Sequence, residues 1–589
     1  MTKGKTMPLF EVRLGPDGTT VFVDPRTGKA KDYPPDPKAA PTADEIDADS
    51  LTQREKVLMV AQDAQFWRDG DYNAYADVEV TDNDGRSHIE RHAVNGSGFQ
   101  RWLLRRYGEM FPTVLPNGTE IPSAPSSNAL KEGLTTLEAL AATGPMWEPM
   151  VRIAEHKHNG RVYVDLADDH WRAVEIDADG WRVVDNPPVA FIRPNGMRPL
   201  PEQVRPVSQA GDPPPLHRLA SLVNVGDLQA EDPDERVSAQ RRLKLVIGFL
   251  VASYRPRGPY PVLSVCGEQG SAKSFLLKTL RSLIDPNKAA LRRPPKTISD
   301  LELAARNSWL VALDNLSWIS DELSDALCCV STGAGQSARK LYTDGEEHLL
   351  EYCRPVALNG IANSVTRGDL AERTMPLVLP TIEPSRRIEA DEAWAAVEAE
   401  RPELLGALCD AVSSGLQNLS RTRQRFRGKD LPRLADVTVW VEACSEGIGW
   451  SDADGNLTTW SFGEPFTDTY WSVITEGQAS TLETDPLAVA VIELMSGRTK
   501  ENLSFPKAGE ATRWEGTATE LLTVLGRLAF DHNIPQGKHW PAAAHILSGR
   551  LRRIAPALRL VDINVEERQR EAGSGRRGIV ITRISKREF

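Results

Sequence analysis

Apolar and polar positions change their period several times along the chain, and the changes divide it into regions. Residues 1–50 hold a short hairpin-like opening, VFVDPRTGK at 21–29, and then a Pro- and Asp-rich stretch that reads as linker. Over 51–205, periodic segments predict helices at Gln53–Arg68, Gly98–Phe111 and Ser126–Ala142, followed by strands at Val151–Ala154, Arg161–Leu166, Trp171–Ile176 and Trp181–Val184. That pattern is an α+β unit. A Pro-rich connector, 193–215, leads into 216–385, where apolar runs (PVLSVC, WLVAL, PVAL, MPLVLP) alternate with helical segments in the manner of an α/β core. Residues 386–513 carry an acidic helix, Glu389–Glu400, a second helix, the basic run RTRQRFRGKDLPR and further helical patterns near 435–449 and 484–497, which suit a helical lid and linker. From 514 to 589, two helices (TATELLTVLGRLAF, WPAAAHILSGRLRRIAPAL) precede strands at Leu560–Val565 and Gly578–Ile584. No internal repeat is evident.

Length and charge narrow the class. At 589 residues the chain is too long for one core. Charged residues at 26% and hydrophobic ones at 40% suit a globular protein, and no apolar run approaches a membrane span. Met1-Thr-Lys-Gly-Lys lacks a signal-peptide core, so a cytoplasmic location and no membrane partner are expected. Six cysteines without a CxxC pair indicate neither a zinc ribbon nor a disulfide framework. A net charge of −12 argues against indiscriminate coating of nucleic acid, but twelve Lys/Arg face five Asp/Glu from Lys538 to Phe589, so a local basic surface is available.

The segment GEQGSAKS, Gly267 to Ser274, lies between an apolar strand, Pro261–Cys266, and an apolar-periodic helix, Ser274–Ile284. Strand, glycine-containing loop and helix form the arrangement in which backbone N–H groups wrap phosphates at a helix N-terminus, a lysine reaches the outer phosphates and a hydroxyl holds Mg²⁺. Gly267, Glu268, Gln269, Gly270, Ser271, Ala272, Lys273 and Ser274 are the candidate phosphate-binding residues. Ala272 stands where glycine is usual, which requires a backbone angle open to a β-carbon.

Forty-one residues after Lys273, the run WLVAL ends in Asp314. A carboxylate there can hold Mg²⁺ opposite the Ser274 hydroxyl. The following position, where an acid commonly orients the attacking water, is Asn315, which leaves the water-polarising group open. A later run ends at Asn359, whose amide can donate to a γ-phosphate or position water. Three other clusters weigh less. Asp165, Asp168 and Asp169 suit a strand end better than paired metals. His156 and His158 read as loop histidines, and Arg101, Arg105 and Arg106 as a solvated helix face.

Taken together, Gly267 to Pro380 resembles the superfamily 3 helicase branch of the AAA+ ATPases, especially the helicase portions of phage, plasmid and poxvirus primase-helicases. GAGQSARKLYTDGEEHLLEYCRPVALNG, Gly333 to Gly360, and RGDLAERTMPLVLP, Arg367 to Pro380, carry the resemblance beside the phosphate loop. It covers about 115 residues. The resemblance implies ATP and Mg²⁺ as cofactors, Arg339 and Lys340 on a DNA-contacting hairpin, Asn359 as a γ-phosphate sensor, and Arg373 as a trans-acting arginine, with Arg367 a second candidate. It further implies a homo-oligomeric ring, most simply a hexamer, on single-stranded DNA. The C-terminal pattern resembles a winged-helix domain, with Arg550, Arg552 and Arg553 on or beside the presented helix and Arg576 and Arg577 on the wing, toward duplex DNA.

The expectation is therefore an ATP-dependent replicative helicase of a phage or other mobile element, with primase or other replication proteins as further partners. Its rivals are an ATPase switch in assembly or phage defence, and a DNA-binding initiator or repressor with a degenerate ATPase.

Overall fold

The computed structural model describes residues 51–206, 214–333, 352–360, 365, 368–445, 465–496, 513–537, 540–568 and 578–583. Beyond these ranges it gives the backbone of short strands at Glu11–Leu14, Thr20–Val23, Ala30–Lys31, Gln336–Arg339, Glu347–Leu350, Trp450–Ser451 and Leu457–Thr458. Two compact units emerge, Met1–Glu148 and Pro149–Phe589.

In the first unit, helices Gln53–Val60, Ser97–Met110 and Ser127–Ala141 accompany an antiparallel sheet of Ala64–Arg68, Ala74–Thr81 and Ser87–Ala93. Val57, Val60, Val78, Phe99, Leu103 and Leu137 share one buried cluster. The first helix stops eight residues short of the expected Arg68, and Ala64–Arg68 becomes a strand. Trp67 explains the switch. It stacks on its cross-strand partner Tyr75 at 4.3 Å, and its indole N–H donates to Asp77 at 2.6 Å, contacts that a helix could not make. On the second helix, Arg105 pairs with Glu109, and Arg106 with Asp63 and Glu109, as expected of a solvated face.

The second unit begins with an antiparallel sheet, Ile153–Glu155, Val162–Asp165, Ala173–Asp177 and Gly180–Val184. This sheet had been expected to close a domain over 51–205. Instead the division falls at Glu148, because Ile153, Val162, Val164, Val174, Ile176 and Trp181 enter the same hydrophobic core as Leu263, Val265, Leu277 and Leu280. Arg152, fully buried at φ +62°, fastens the two parts. Its Nε donates to Asp285 at 3.1 Å, and its other nitrogens donate to the carbonyls of Asp165 and Arg198, each at 2.8 Å. Asp285 also accepts from the N–H groups of Trp309 and Leu310. The aspartates that raised the metal alternative are held by arginines, Asp165 by Arg193 at 2.7 Å and Asp168 by Arg172 at 2.6 Å. The rings of His156 and His158 meet edge to face at 5.6 Å.

At the centre lies a four-stranded, all-parallel sheet in the order Val311–Leu313, Val356–Asn359, Val262–Cys266, Thr374–Val378. The first three strands are buried at every position, which is why they read as continuous apolar runs. Two helices expected after Glu389 are one 36-residue helix, Ala390–Arg425, which runs through Pro402. The helix Ala435–Ser445 follows, and its Trp440 donates to the Val251 carbonyl of the long helix Pro233–Ser253.

The C-terminal module starts earlier than residue 514. Leu487, Val491, Leu494 and Met495 of the helix Pro486–Ser496 share a core with Leu521, Leu525, Leu547, Leu551, Ile579 and Ile581. Two further helices, Ala518–Asp531 and Ala544–Leu560, complete it with a three-stranded sheet in which Gly578–Arg583 lies between Arg513–Thr517 and Ile563–Arg568. No helix among the described residues is long and apolar enough to cross a membrane.

Candidate nucleotide-binding site

The parallel sheet gathers the expected residues at the C-terminal ends of its strands, where open α/β sheets hold ligands. The strand Val262–Cys266 feeds the loop from Gly267 to Ala272, and the helix Lys273–Ile284 leaves it. Gly267 at φ +150° and Gly270 at φ +86° occupy conformations that favour glycine. A β-carbon on Gly267 would also lie 2.8 Å from both the Leu379 carbonyl and the Ser271 hydroxyl.

Ala272 contradicts its expectation. It caps the helix at φ +61°, ψ +28°, in the left-handed region, so this position is not one that a β-carbon enters without strain. For an L-residue that conformation costs about 1–2 kcal/mol. Ala272→Gly should therefore raise the melting temperature, with the gain reduced by glycine's larger entropy in the unfolded chain. A fall of the size seen for glycine within a helix would contradict the left-handed backbone.

Lys273 folds back over the loop. Its Nζ donates to the carbonyls of Gly267 at 2.8 Å and Glu268 at 2.7 Å. Ser271 is buried, and its hydroxyl donates to the Glu268 carbonyl, tightening the turn. Glu268, Gln269 and Gly270 are exposed. Beside them, Ser274, Asp314 and Asn359 form one hydrogen-bonded group. The Ser274 hydroxyl donates to Asp314 Oδ1 at 2.8 Å, and Asn359 Nδ2 donates to the same oxygen at 2.7 Å. The strand order makes this possible, because the strand ending in Asn359 lies between the loop strand and the strand before Asp314. Asn359 is 2% exposed, and its Oδ1 accepts the Asn315 N–H at 2.7 Å. An N–H can only meet the amide oxygen, so Asn359 must turn its NH₂ toward Asp314.

Asn315 has φ +61° and an exposed side chain. Asparagine tolerates that backbone better than most residues do. Its contribution to the group is its N–H rather than its amide.

Several contacts had no signal in the local sequence. Asn224 Nδ2 bridges the Ser271 carbonyl at 3.1 Å and the Pro380 carbonyl at 2.6 Å. Thr381 donates to Glu268, the Arg387 guanidinium lies beside Gly270, and Trp394 meets Phe275 edge to face at 6.2 Å. The chain that leaves the last strand therefore folds back along the loop. Burial pushes the Cys266 thiol above its ordinary range, which keeps it neutral beneath the loop.

Among the remaining expected residues, Arg373 is mostly buried and pairs with Asp369 at 2.6 Å; Arg433 pairs with Asp369 and Glu372. Burial opposes the charge of Asp369, but hydrogen bonding and charge from Arg373, with Arg433, outweigh it and hold this carboxyl below its usual range. Arg339 ends the strand Gln336–Arg339, which pairs with Glu347–Leu350; only its backbone is described. Lys340, Arg367, Arg576 and Arg577 lie outside the described residues, as does the side chain of Arg553. Arg550 pairs with Asp485 at 2.8 Å and Arg552 with Glu567 at 2.7 Å, so both cations are engaged within the module.

Residues 236–438 match the family model described as actinomycete integrative conjugative element replication protein, and residues 487–588 match the model for the C-terminal domain of that RepA. The kind of protein to which the chain is similar is thus a replication protein of a mobile element. More particularly, it is similar to the RepA of actinomycete integrative conjugative elements. The second match begins one residue into the helix Pro486–Ser496, close to where the C-terminal core begins. No curated protein matches the chain at a significant level. Two solved apo structures of the NrS-1 C-terminal region align with 91% and 92% of this chain and all of their own, at 11% and 12% identity and TM-scores of 0.38 and 0.36.

Proposed function

We propose that this chain is an ATP-dependent DNA helicase or translocase that works as a ring, most simply a hexamer, in the replication of a mobile element. Its nucleotide-binding part is read as a superfamily 3 AAA+ core and its C-terminal module as a winged helix. The observation that carries the proposal is the Ser274–Asp314–Asn359 group beside a glycine-containing loop and Lys273.

A hydroxyl and a carboxylate 2.8 Å apart are hard oxygen donors of the kind Mg²⁺ takes together with phosphate oxygens. Bound Mg²⁺ would neutralise developing phosphate charge. Lys273 now satisfies its ammonium on loop carbonyls, and phosphates entering the cradle would take those donors over. Asn359, locked by Asn315, orients Asp314 and presents a polar edge where a terminal phosphate would lie. Two helices followed by two strands in the C-terminal module favour duplex contact, with Arg553, Arg576 and Arg577 the candidate cations. Arg550 and Arg552 would have to exchange present carboxylate partners for phosphates. Arg339 and Lys340 remain the candidates for gripping the translocated strand.

Arg373 can serve a neighbour's site only by exchanging Asp369 for a phosphate. Mixing Arg373→Ala with Lys273→Ala, each strongly impaired alone, should restore ATP turnover wherever an intact loop meets an intact arginine. Arginine fingers contribute about 10³–10⁵-fold, so a minority of repaired interfaces is measurable. With subunit exchange demonstrated, no recovery, together with loss only in proportion to dilution when Arg373→Ala is doped into wild type, would assign Arg373 to the Asp369 ion pair alone. Asn315, which brings no carboxylate to the water-orienting position, favours a second reading, an ATPase switch that does not unwind. Strand displacement on a forked duplex separates the two: the helicase requires it with ATP and Mg²⁺, whereas the switch gives turnover without displacement.

A further inference from the structure

A basic pocket sits at the edge of the central sheet, outside the phosphate loop. It is an open concavity of about 210 Å³ between the segment Arg292–Lys296, the helix Ile298–Arg306 and the strand Val311–Leu313, with Arg292, Arg293, Lys296 and Leu313 among its walls. Backbone hydrogen bonds fix the segment against that strand. The Arg292 N–H donates to the Ala312 carbonyl at 2.9 Å, and the Asp314 N–H donates to the Arg292 carbonyl at 2.8 Å. Pro294 and Pro295 then stiffen the chain, which presents the cations on a rigid rim at little entropic cost.

The charges of this rim are mostly positive, with three cations against Asp300. Arg293 and Lys296 are exposed; Lys296 lies in the field of the Asp300 carboxylate, and neither forms a close ion pair among the described residues. The Nε of Arg292 is buried without a hydrogen-bond partner, while its Nη2 reaches Ser308 at 3.4 Å. Asp300 is the acid of the lining. Its carboxylate is turned onto the start of its own helix, where it accepts the Thr297 N–H at 3.0 Å. An acidic protein that leaves several cations around a small concavity has a site for an anion.

We propose that this pocket holds a backbone phosphate of single-stranded DNA, beside the strand that carries Asp314. The proposal rests on the reading of the chain as a DNA-acting replication protein. The pocket's size admits one sugar-phosphate group and not the face of a duplex, and its prolines offer apolar surface to the sugar. Because the pocket segment bonds directly to the Asp314 backbone, DNA seated there touches the structure that positions the carboxylate.

The test uses the full-length protein without nucleotide and fluorescent oligo-dT. Affinity is followed by anisotropy across a salt series for wild type and Arg293→Gln/Lys296→Gln. Arg86→Gln/Lys131→Gln, an equal charge loss at exposed positions of the first unit, is the control. Single-strand binding loses about 0.7 of salt slope per phosphate contact, so the pocket variant, which gives up one phosphate, should lose about 0.7 in slope while the control keeps the wild-type value. Unchanged slope and affinity in a pocket variant that melts like wild type would overturn the proposal, and so would a wild type that does not bind oligo-dT. An equal slope loss on a duplex of mixed sequence would overturn the single-strand assignment. Absence of ATP turnover with the slope loss intact would count against the ATPase reading and leave this site standing.

Discussion

Lys273→Ala is expected to lower ATP turnover by about 10²–10³-fold, the typical effect of removing a preorganised group aimed at developing charge, and to weaken nucleotide binding as well. Lysine meets phosphate as a point charge on a flexible stem, and nothing else in the loop from Gly267 to Ser274 carries a cation. Folding should survive, because the ammonium now bonds only to loop carbonyls and the Ser271 hydroxyl. Asp314→Asn makes the complementary case. Its amide oxygen still accepts from Ser274 and Asn359, but the anion is gone, so Mg²⁺-dependent turnover should fall much further than nucleotide affinity. Wild-type affinity and turnover in the lysine variant would remove the phosphate-loop assignment.

The second large effect concerns stability. Arg152→Ala should destabilise the protein by about 3–5 kcal/mol, the cost of breaking a buried ion pair by removing one partner. The pair is sealed, with side-chain exposures of 0% for Arg152 and 1% for Asp285. Without Arg152, the carbonyls of Asp165 and Arg198 lose donors, and Asp285 keeps Arg281 at 3.5 Å as an ion-pair partner, with the Arg354 guanidinium acting on it as well. Arg152→Lys keeps the charge and loses the fork, so it should fall between wild type and alanine. Denaturant unfolding measures both. An alanine variant within about 1 kcal/mol of wild type would mean that the sheet Ile153–Val184 is held to the core without need of Arg152.

These two sites differ in how far they could be read from sequence. The glycine-containing loop, Asp314 and Asn359 were legible as elements because a parallel strand buried on both faces is a continuous apolar run, and a polar residue ending such a run stands out. Their convergence follows from strand order, which no local pattern specifies. Arg152 gave no sign of itself. Its partners Asp285 and Arg198 lie far along the chain, and a lone arginine within an expected strand, Val151–Ala154, is ordinarily solvent-facing. The same dependence on distant contacts moved the boundary to Glu148 and drew the helix Pro486–Ser496 into the C-terminal core. Ala272 and Asn315 were noticed as departures from pattern, but only their positive φ values give the physical reason that each matters. The hairpin AYADVEVT and SHIERHA was within reach, since both segments partly alternate. The helical appearance of Gln53–Arg68 concealed its third strand, which the Trp67–Tyr75 stack decides.

The central claim is that the group of Ser274, Asp314 and Asn359 hydrolyses ATP in response to DNA. Steady-state ATP turnover by the full-length wild-type protein in Mg²⁺, with and without single-stranded DNA, tests it most directly. The account predicts turnover that rises when single-stranded DNA is added and falls about 10²–10³-fold in Lys273→Ala. Turnover absent under both conditions, or persisting undiminished in Lys273→Ala, would contradict it.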